Sequence, residues 1–158
     1  MKREVWSVLG MAAAALVLGA CDDPGIAVGE AIVHAELSEW KVVTDRDTVR
    51  AGNKITVLAD NKGADVHNLV LLQTEIAAGD LPVDAGGDVL LTGSGVLEVS
   101  RIDDLAPGAS GQFTLDEAVP GKYVFVCTVA TSNGMSVGHP YAKGMFKAFA
   151  VAEAPGQE

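Results

Sequence analysis

The chain has 158 residues, the size of a single domain with room for a hydrophobic core. Its formal net charge of −10 argues against a nucleic-acid partner, because neutralising phosphates requires clustered lysine and arginine. Aromatic residues make up only 5% of the chain, 18 glycines are present, and long helical periodicity is scarce. This composition favours an all-β domain with many turns.

The N-terminus has the features of an export signal. Lys2 and Arg3 are followed by an apolar run over residues 5–18, which is too short for a spanning helix with these flanks. The sequence L-G-A-C ending at Cys21 resembles a bacterial lipobox, and this resemblance implies cleavage before Cys21 and acylation of its sulfur. An ordinary secretory signal, in which Cys21 is incidental, is the alternative.

We therefore expect residues 1–20 to be a lipoprotein signal peptide. Residues 21–30 contain Pro24, Gly25 and Gly29 and predict a short tether from the membrane to the domain. The domain would then lie on the extracytoplasmic side, anchored through Cys21.

The rest of the chain predicts short strands separated by turn residues. Residues 31–43 alternate as a first strand, with His34 on the solvent face, and residues 45–52 form a polar connection. Further strands are predicted over residues 53–60, 66–73, 89–91, 96–102, 111–115, 122–128 and 145–151, with a loop over 75–87 that has room for one helical turn. The pattern predicts a β-sandwich domain over residues 31–151, of about seven to eight strands, and a frayed tail over 152–158.

Three side chains that bind soft metals lie close together near the end of the chain. Cys127, His139 and Met145 fall within nineteen residues, and His67 lies upstream. One cysteine, two histidines and one methionine form the ligand set of a trigonal copper site with a weak axial thioether. Met135 is an alternative thioether, although an exposed or loop-packing role is the simpler interpretation.

Cys127 lies on an alternating strand. Tyr123, Phe125 and Cys127 share one face, which we expect to be the core face. The simplest interpretation of such a cysteine is that it packs in the core as a small hydrophobic residue. The presence of His139 and Met145 downstream favours the alternative, that Cys127 is a metal ligand. If Cys21 is acylated, Cys127 has no partner for a disulfide, and a metal would protect its thiol.

Four segments carry a resemblance to a known family. They are NKGADVHNLVLL around His67, LAPGASGQFTL, PGKYVFVC ending at Cys127, and GHPYAKGMFKAFAV with His139 and Met145. The chain resembles the cupredoxins, the blue copper proteins, and is most similar to the sulfocyanin, auracyanin and plastocyanin-like members. The resemblance implies a Greek-key β-sandwich that binds one copper, cycling between Cu(I) and Cu(II), through His67, Cys127, His139 and Met145.

The same resemblance assigns two supporting residues and shows one departure. Asn68 would tie the two ligand-bearing loops together, and Tyr123 resembles a tyrosine-corner residue with a structural role. Eleven residues separate Cys127 from His139, whereas family members usually have only a few. This long loop would either dock a partner or be an inert surface loop.

The function implied is electron transfer rather than catalysis. A lipid-anchored cupredoxin would carry single electrons between redox proteins at the membrane, such as cytochromes or oxidoreductases. The first alternative is an extracytoplasmic copper-binding protein for storage, delivery or resistance. The second is a metal-free β-sandwich lipoprotein with an adhesive or structural role.

Overall fold

The computed structural model describes residues 29–85, 87–129 and 140–154. Within these ranges the chain forms ten strands and one short 3₁₀ turn, Tyr141–Lys143. The strands are β1 Glu30–Ser38, β2 Lys41–Thr44, β3 Thr48–Arg50, β4 Lys54–Asn61, β5 His67–Thr74, β6 Thr92–Gly93, β7 Val96–Leu105, β8 Ser110–Leu115, β9 Gly121–Val126 and β10 Phe146–Ala152. The described ranges contain no helix with the length and apolar character needed to cross a bilayer.

The strands form two sheets that pack on one core. The first sheet has the order β2-β1-β4-β8, and the second has the order β3-β10-β9-β5-β7-β6. Neighbouring strands are antiparallel except for the pairs β1–β4 and β3–β10, which are parallel. The all-β sandwich predicted from the sequence is confirmed.

The burial pattern explains the position of each sheet. Residues along β1 alternate between buried and exposed, and His34 lies on the exposed face as predicted. By contrast, β5 is buried along nearly its whole length. Its inner face joins the main core, and its outer face lies in a second apolar cluster with Leu81, Val89 and Tyr141. A strand that is covered on both faces is expected to have a continuous run of apolar residues, and the sequence of β5 has such a run.

Three strand predictions need correction. The predicted first strand over 31–43 is divided by a two-residue turn, Glu39–Trp40, in which Trp40 has a φ of 63°. The sequence gives no warning of this turn, because tight hairpins usually carry Gly, Asn or Asp at such positions. The polar connection over 45–52 contains β3, which pairs with β10, and residues 89–91 make only an isolated bridge between Val89 and Val83.

Tyr123 forms the tyrosine corner expected from its sequence context. Its hydroxyl donates a hydrogen bond of 2.8 Å to the carbonyl oxygen of Val119, four residues upstream. Burial of the ring raises the pKa of this phenol. Because the bond fixes the entry into β9, it also sets the register of the strand that ends beside Cys127.

Candidate metal centre

Three strand ends meet at one end of the sandwich and bring donor side chains together. His67 begins β5, Cys127 directly follows β9, and Met145 directly precedes β10. These strands are adjacent, since β9 pairs with both β5 and β10 in antiparallel register. The start of one antiparallel strand lies beside the end of its neighbour, so the three residues share one edge of the sheet.

The closest pair of donors is His67 and Cys127. The Nδ1 atom of His67 lies 3.7 Å from the Sγ atom of Cys127, although the two residues are 60 positions apart. Both side chains are buried, with exposures of 2% and 0%. The Nε2 atom of His67 is also buried and makes no hydrogen bond with the described residues. The imidazole therefore directs one nitrogen at the sulfur, and the other nitrogen is buried without a hydrogen bond to any described residue.

This separation fits a metal held between the two donors. The same donor types bind Zn²⁺ at about 2.0 Å for nitrogen and about 2.3 Å for sulfur. With a trigonal angle of about 120°, two such bonds place the donor atoms about 3.7 Å apart. The observed distance between Nδ1 and Sγ is therefore the one expected for two atoms that bind the same metal ion.

Met145 supplies a thioether to the same region. Its side chain is fully buried in the core cluster that also contains Cys127, and the Cys127 amide donates to the Met145 carbonyl oxygen at 3.3 Å. The preceding Gly144 has a φ of 97°, which a residue with a side chain adopts only with strain. This glycine ends the 3₁₀ turn and directs Met145 inward.

Tyr141 attaches this segment to the loop that covers β5. Its hydroxyl accepts a hydrogen bond from the Leu81 amide at 2.8 Å and donates one to the Ala78 carbonyl at 3.0 Å. Tyr141 is buried and its ring packs against Phe146, with centroids 5.2 Å apart. Both contacts restrict the segment that presents Met145.

The protonation states of the two closest donors suit metal binding. Burial lowers the pKa of His67, although Glu39 and Asp65 oppose this effect, so the imidazole is neutral at neutral pH. Burial raises the pKa of Cys127, and hydrogen bonds from the backbone amides of Asn68 and Val129 oppose this rise. A metal ion would displace the thiol proton, and the two amides would then stabilise the thiolate.

Asn68 connects the two loops that carry His67 and Cys127. Its Nδ2 donates to the Thr128 hydroxyl at 2.9 Å, and its Oδ1 accepts from the Thr128 amide at 2.8 Å. These reciprocal bonds join residues 60 positions apart and match the role predicted for Asn68. The pair fixes the spacing between the imidazole and the sulfur.

Asn68→Ala is expected to lower the free energy of unfolding by about 2 kcal/mol, because two partly buried bonds are lost and the Thr128 amide is left without its partner. Urea unfolding of the metal-free protein measures this change. Asn53→Ala is the matched control, since the Asn53 side chain accepts one exposed bond from the Gly29 amide. That variant should lose less than about 0.5 kcal/mol. Equal losses in the two variants would contradict a special role for Asn68.

Asn61, which no sequence pattern singled out as a site residue, organises the loop before His67. Its fully buried side chain donates to the Asp65 carbonyl at 2.7 Å and to the Leu105 carbonyl at 2.8 Å. Its Oδ1 accepts from the Gly63 amide at 2.9 Å. The sequence N-K-G indicated only a turn. An asparagine at the end of an apolar strand was the signal that could have pointed to this loop-organising role.

Three sequence-predicted residues lie outside the described residues. They are His139 in the metal set, Met135 as the alternative thioether, and the lipidation residue Cys21. Among the described residues, no group of three or more His, Cys, Asp or Glu side chains is placed to hold a metal. Of the four predicted ligands, the structure therefore describes His67, Cys127 and Met145.

No protein-family model matches the sequence, and no curated protein matches it. Solved structures do match this chain. Reduced auracyanin from Roseiflexus castenholzii is 25% identical, with a TM-score of 0.52 over 79% of this chain and 97% of that chain. Rusticyanin from Thiobacillus ferrooxidans is 18% identical, with a TM-score of 0.52 over 77% of each chain. Auracyanin B is 17% identical, with a TM-score of 0.50 over 78% of this chain and 88% of that chain.

The matches span more than three quarters of this chain. At identities of 17–18%, rusticyanin and auracyanin B establish the shared architecture alone. The sandwich of two mixed sheets, together with these structural neighbours, identifies the chain as a protein of the cupredoxin fold.

Proposed function

We propose that this protein binds a single copper ion through His67, Cys127, His139 and Met145 and carries single electrons. The observation that carries the proposal is the 3.7 Å separation between His67 Nδ1 and Cys127 Sγ in a fully buried setting. Imidazole, thiolate and thioether are the donors that copper accepts in both oxidation states. The neighbours auracyanin and rusticyanin are single-copper blue copper proteins, which supports the same cofactor here.

The described residues would serve electron transfer by holding the donors in place. Bound copper would supply a one-electron couple, and the protein would keep its ligands nearly fixed in both states. Asn68 and Tyr141 restrict the loops, and the core around Phe125 and Phe149 excludes water from the sulfur. The amides of Asn68 and Val129 would stabilise the thiolate once bound copper had displaced the thiol proton. Electron carriage rather than catalysis is the function that such a closed, apolar site supports.

We further propose an extracytoplasmic location and a lipid anchor on Cys21. The lipobox-like sequence before Cys21 and the positively charged start of the chain support this proposal. Its partners would be redox proteins at the same membrane, such as cytochromes or oxidoreductases. Replacing Cys21 with alanine should move the protein out of the membrane fraction, because a diacylated cysteine is the only anchor proposed. Full membrane retention of the variant would contradict the anchor.

The visible spectrum of the Cu(II)-loaded protein tests the proposed cofactor. Cys21→Ser makes Cys127 the one remaining thiol, since the chain contains two cysteines. One equivalent of copper should then give intense thiolate-to-Cu(II) charge-transfer colour that dithionite removes and an oxidant restores. A colourless complex, or colour that does not return on reoxidation, would refute the electron-carrier proposal.

Met145→Leu is expected to keep the colour and to raise the reduction potential. Leucine fills a similar volume in this fully buried position but removes a weak donor that favours Cu(II). Voltammetry of the two proteins measures the shift. Met135→Leu is the matched control and should leave the potential unchanged. A shift in the Met135 variant alone would transfer the axial role to Met135.

A further inference from the structure

The β1–β2 turn places a carboxylate against the loop that precedes His67. The Oε1 atom of Glu39 accepts hydrogen bonds from the Ala64 amide at 2.5 Å and from the Asp65 amide at 3.3 Å. The residues are about 25 positions apart, so tertiary structure alone brings them together. The turn therefore holds the backbone two to three residues before His67.

The same carboxylate and the Nε2 atom of the His67 ring lie close to one point beside Gly63. A Cβ atom on Gly63 would lie 2.6 Å from Glu39 Oε1 and 3.0 Å from His67 Nε2. Both atoms therefore pack against one small surface of Gly63, which only glycine leaves open. The Nε2 atom is the buried nitrogen that has no hydrogen-bond partner among the described residues.

Glu39 is negatively charged in this position. Its pKa is lowered chiefly by the hydrogen bond from the Ala64 amide, and the nearby His67 also contributes. The adjacent Trp40 completes the turn with a φ of 63°, and its carbonyl oxygen would lie 4.0 Å from a Cβ atom on Gly144, the residue before Met145. This turn of the first sheet thus holds the loop before His67 by hydrogen bonds, and it lies close to the glycine before Met145.

We propose that Glu39 is a positioning residue for His67, and that its charge favours the oxidised form of the metal centre. The proposal rests on the proposed function, because the second part requires bound copper. The hydrogen bonds to Ala64 and Asp65 fix the loop, and the loop fixes the ring plane of His67. The negative charge beside the ring stabilises Cu(II), which carries one more positive charge than Cu(I).

Two substitutions separate the roles of geometry and charge. Glu39→Gln keeps an oxygen that accepts from the Ala64 amide but removes the charge, whereas Glu39→Ala removes both. One charge near the surface should change the affinity ratio of Cu(II) to Cu(I) on the order of fivefold. At 59 mV per tenfold change for one electron, the potential should rise by about 40 mV in both variants. Raising the salt concentration should reduce this rise in potential, because Glu39 is exposed and salt screens its charge.

Glu117→Gln is the matched control. Glu117 is an exposed carboxylate between β8 and β9, at the opposite end of the sandwich from His67. Glu117→Gln removes the same charge from the protein, and its reduction potential should equal that of the unchanged protein within error. An equal shift in the Glu117 and Glu39 variants would overturn the specific role of Glu39, because it would reflect net charge alone.

Hydrogen exchange of the metal-free protein tests positioning without any copper. The Ala64 and Asp65 amides should exchange about fivefold faster in Glu39→Ala than in the unchanged protein, and Glu39→Gln should restore most of the protection of Ala64. Unchanged exchange in Glu39→Ala would overturn the positioning role. If the protein never develops charge-transfer colour with copper, the proposed function is refuted, and with it the effect of the Glu39 charge on the potential. Hydrogen exchange would still decide whether Glu39 positions the loop.

Discussion

Cys127→Ala is expected to abolish the charge-transfer colour of the copper-loaded protein completely. The colour requires a thiolate bound to Cu(II), and Cys127 is the cysteine whose sulfur lies 3.7 Å from His67 Nδ1. The fold should survive, because removing one buried sulfur atom costs about 1 kcal/mol, comparable to removing one methylene group. Absorption spectra and copper titrations of the two proteins measure the loss.

His34→Ala is the control for this experiment. His34 is an imidazole on the exposed face of β1, in the first sheet rather than the second. Its removal should leave both the colour and the copper stoichiometry unchanged. A Cys127 variant that retains the spectrum of the unchanged protein would remove Cys127 from the ligand set. Loss of colour in the His34 variant would show that the centre lies elsewhere.

Asn61→Ala is expected to lower the free energy of unfolding by about 3 to 4 kcal/mol, the largest stability loss that we predict. Three hydrogen bonds disappear, and the Leu105 carbonyl is left buried without its side-chain partner. Asn61 itself is fully buried, so water replaces these bonds poorly. Urea unfolding of the metal-free protein measures the loss.

The effect of Asn61→Ala should extend to the metal centre. The loop from Gly63 to Asp65 is held by Asn61 on one side and by Glu39 on the other, and it leads directly into His67. Copper affinity should therefore fall together with stability. Asn61→Asp separates the two kinds of bond, because it keeps the acceptor for the Gly63 amide but turns a carboxylate toward two carbonyl oxygens. A stability equal to that of the unchanged protein in both variants would contradict the organising role of Asn61.

Much of the fold could be predicted because it is encoded in local patterns. Alternation placed His34 on the solvent face of β1 and Tyr123, Phe125 and Cys127 on the core side of one strand. The alternation works because successive side chains of a strand point to opposite faces. The failures were also local: the turn at Glu39–Trp40 lacks the residues that mark a hairpin, and β3 is too short to produce a periodic pattern.

The sequence by itself determined which donors the chain has, because the presence of His67, Cys127 and Met145 at strand ends can be read residue by residue. Only the tertiary structure decided that His67 Nδ1 lies against the Cys127 sulfur across 60 positions of chain. It also decided that Asn61 and Glu39 hold the loop before His67. These contacts arise when two sheets pack on one core, and the periodicity of a single strand carries no information about which distant loops the packing will join.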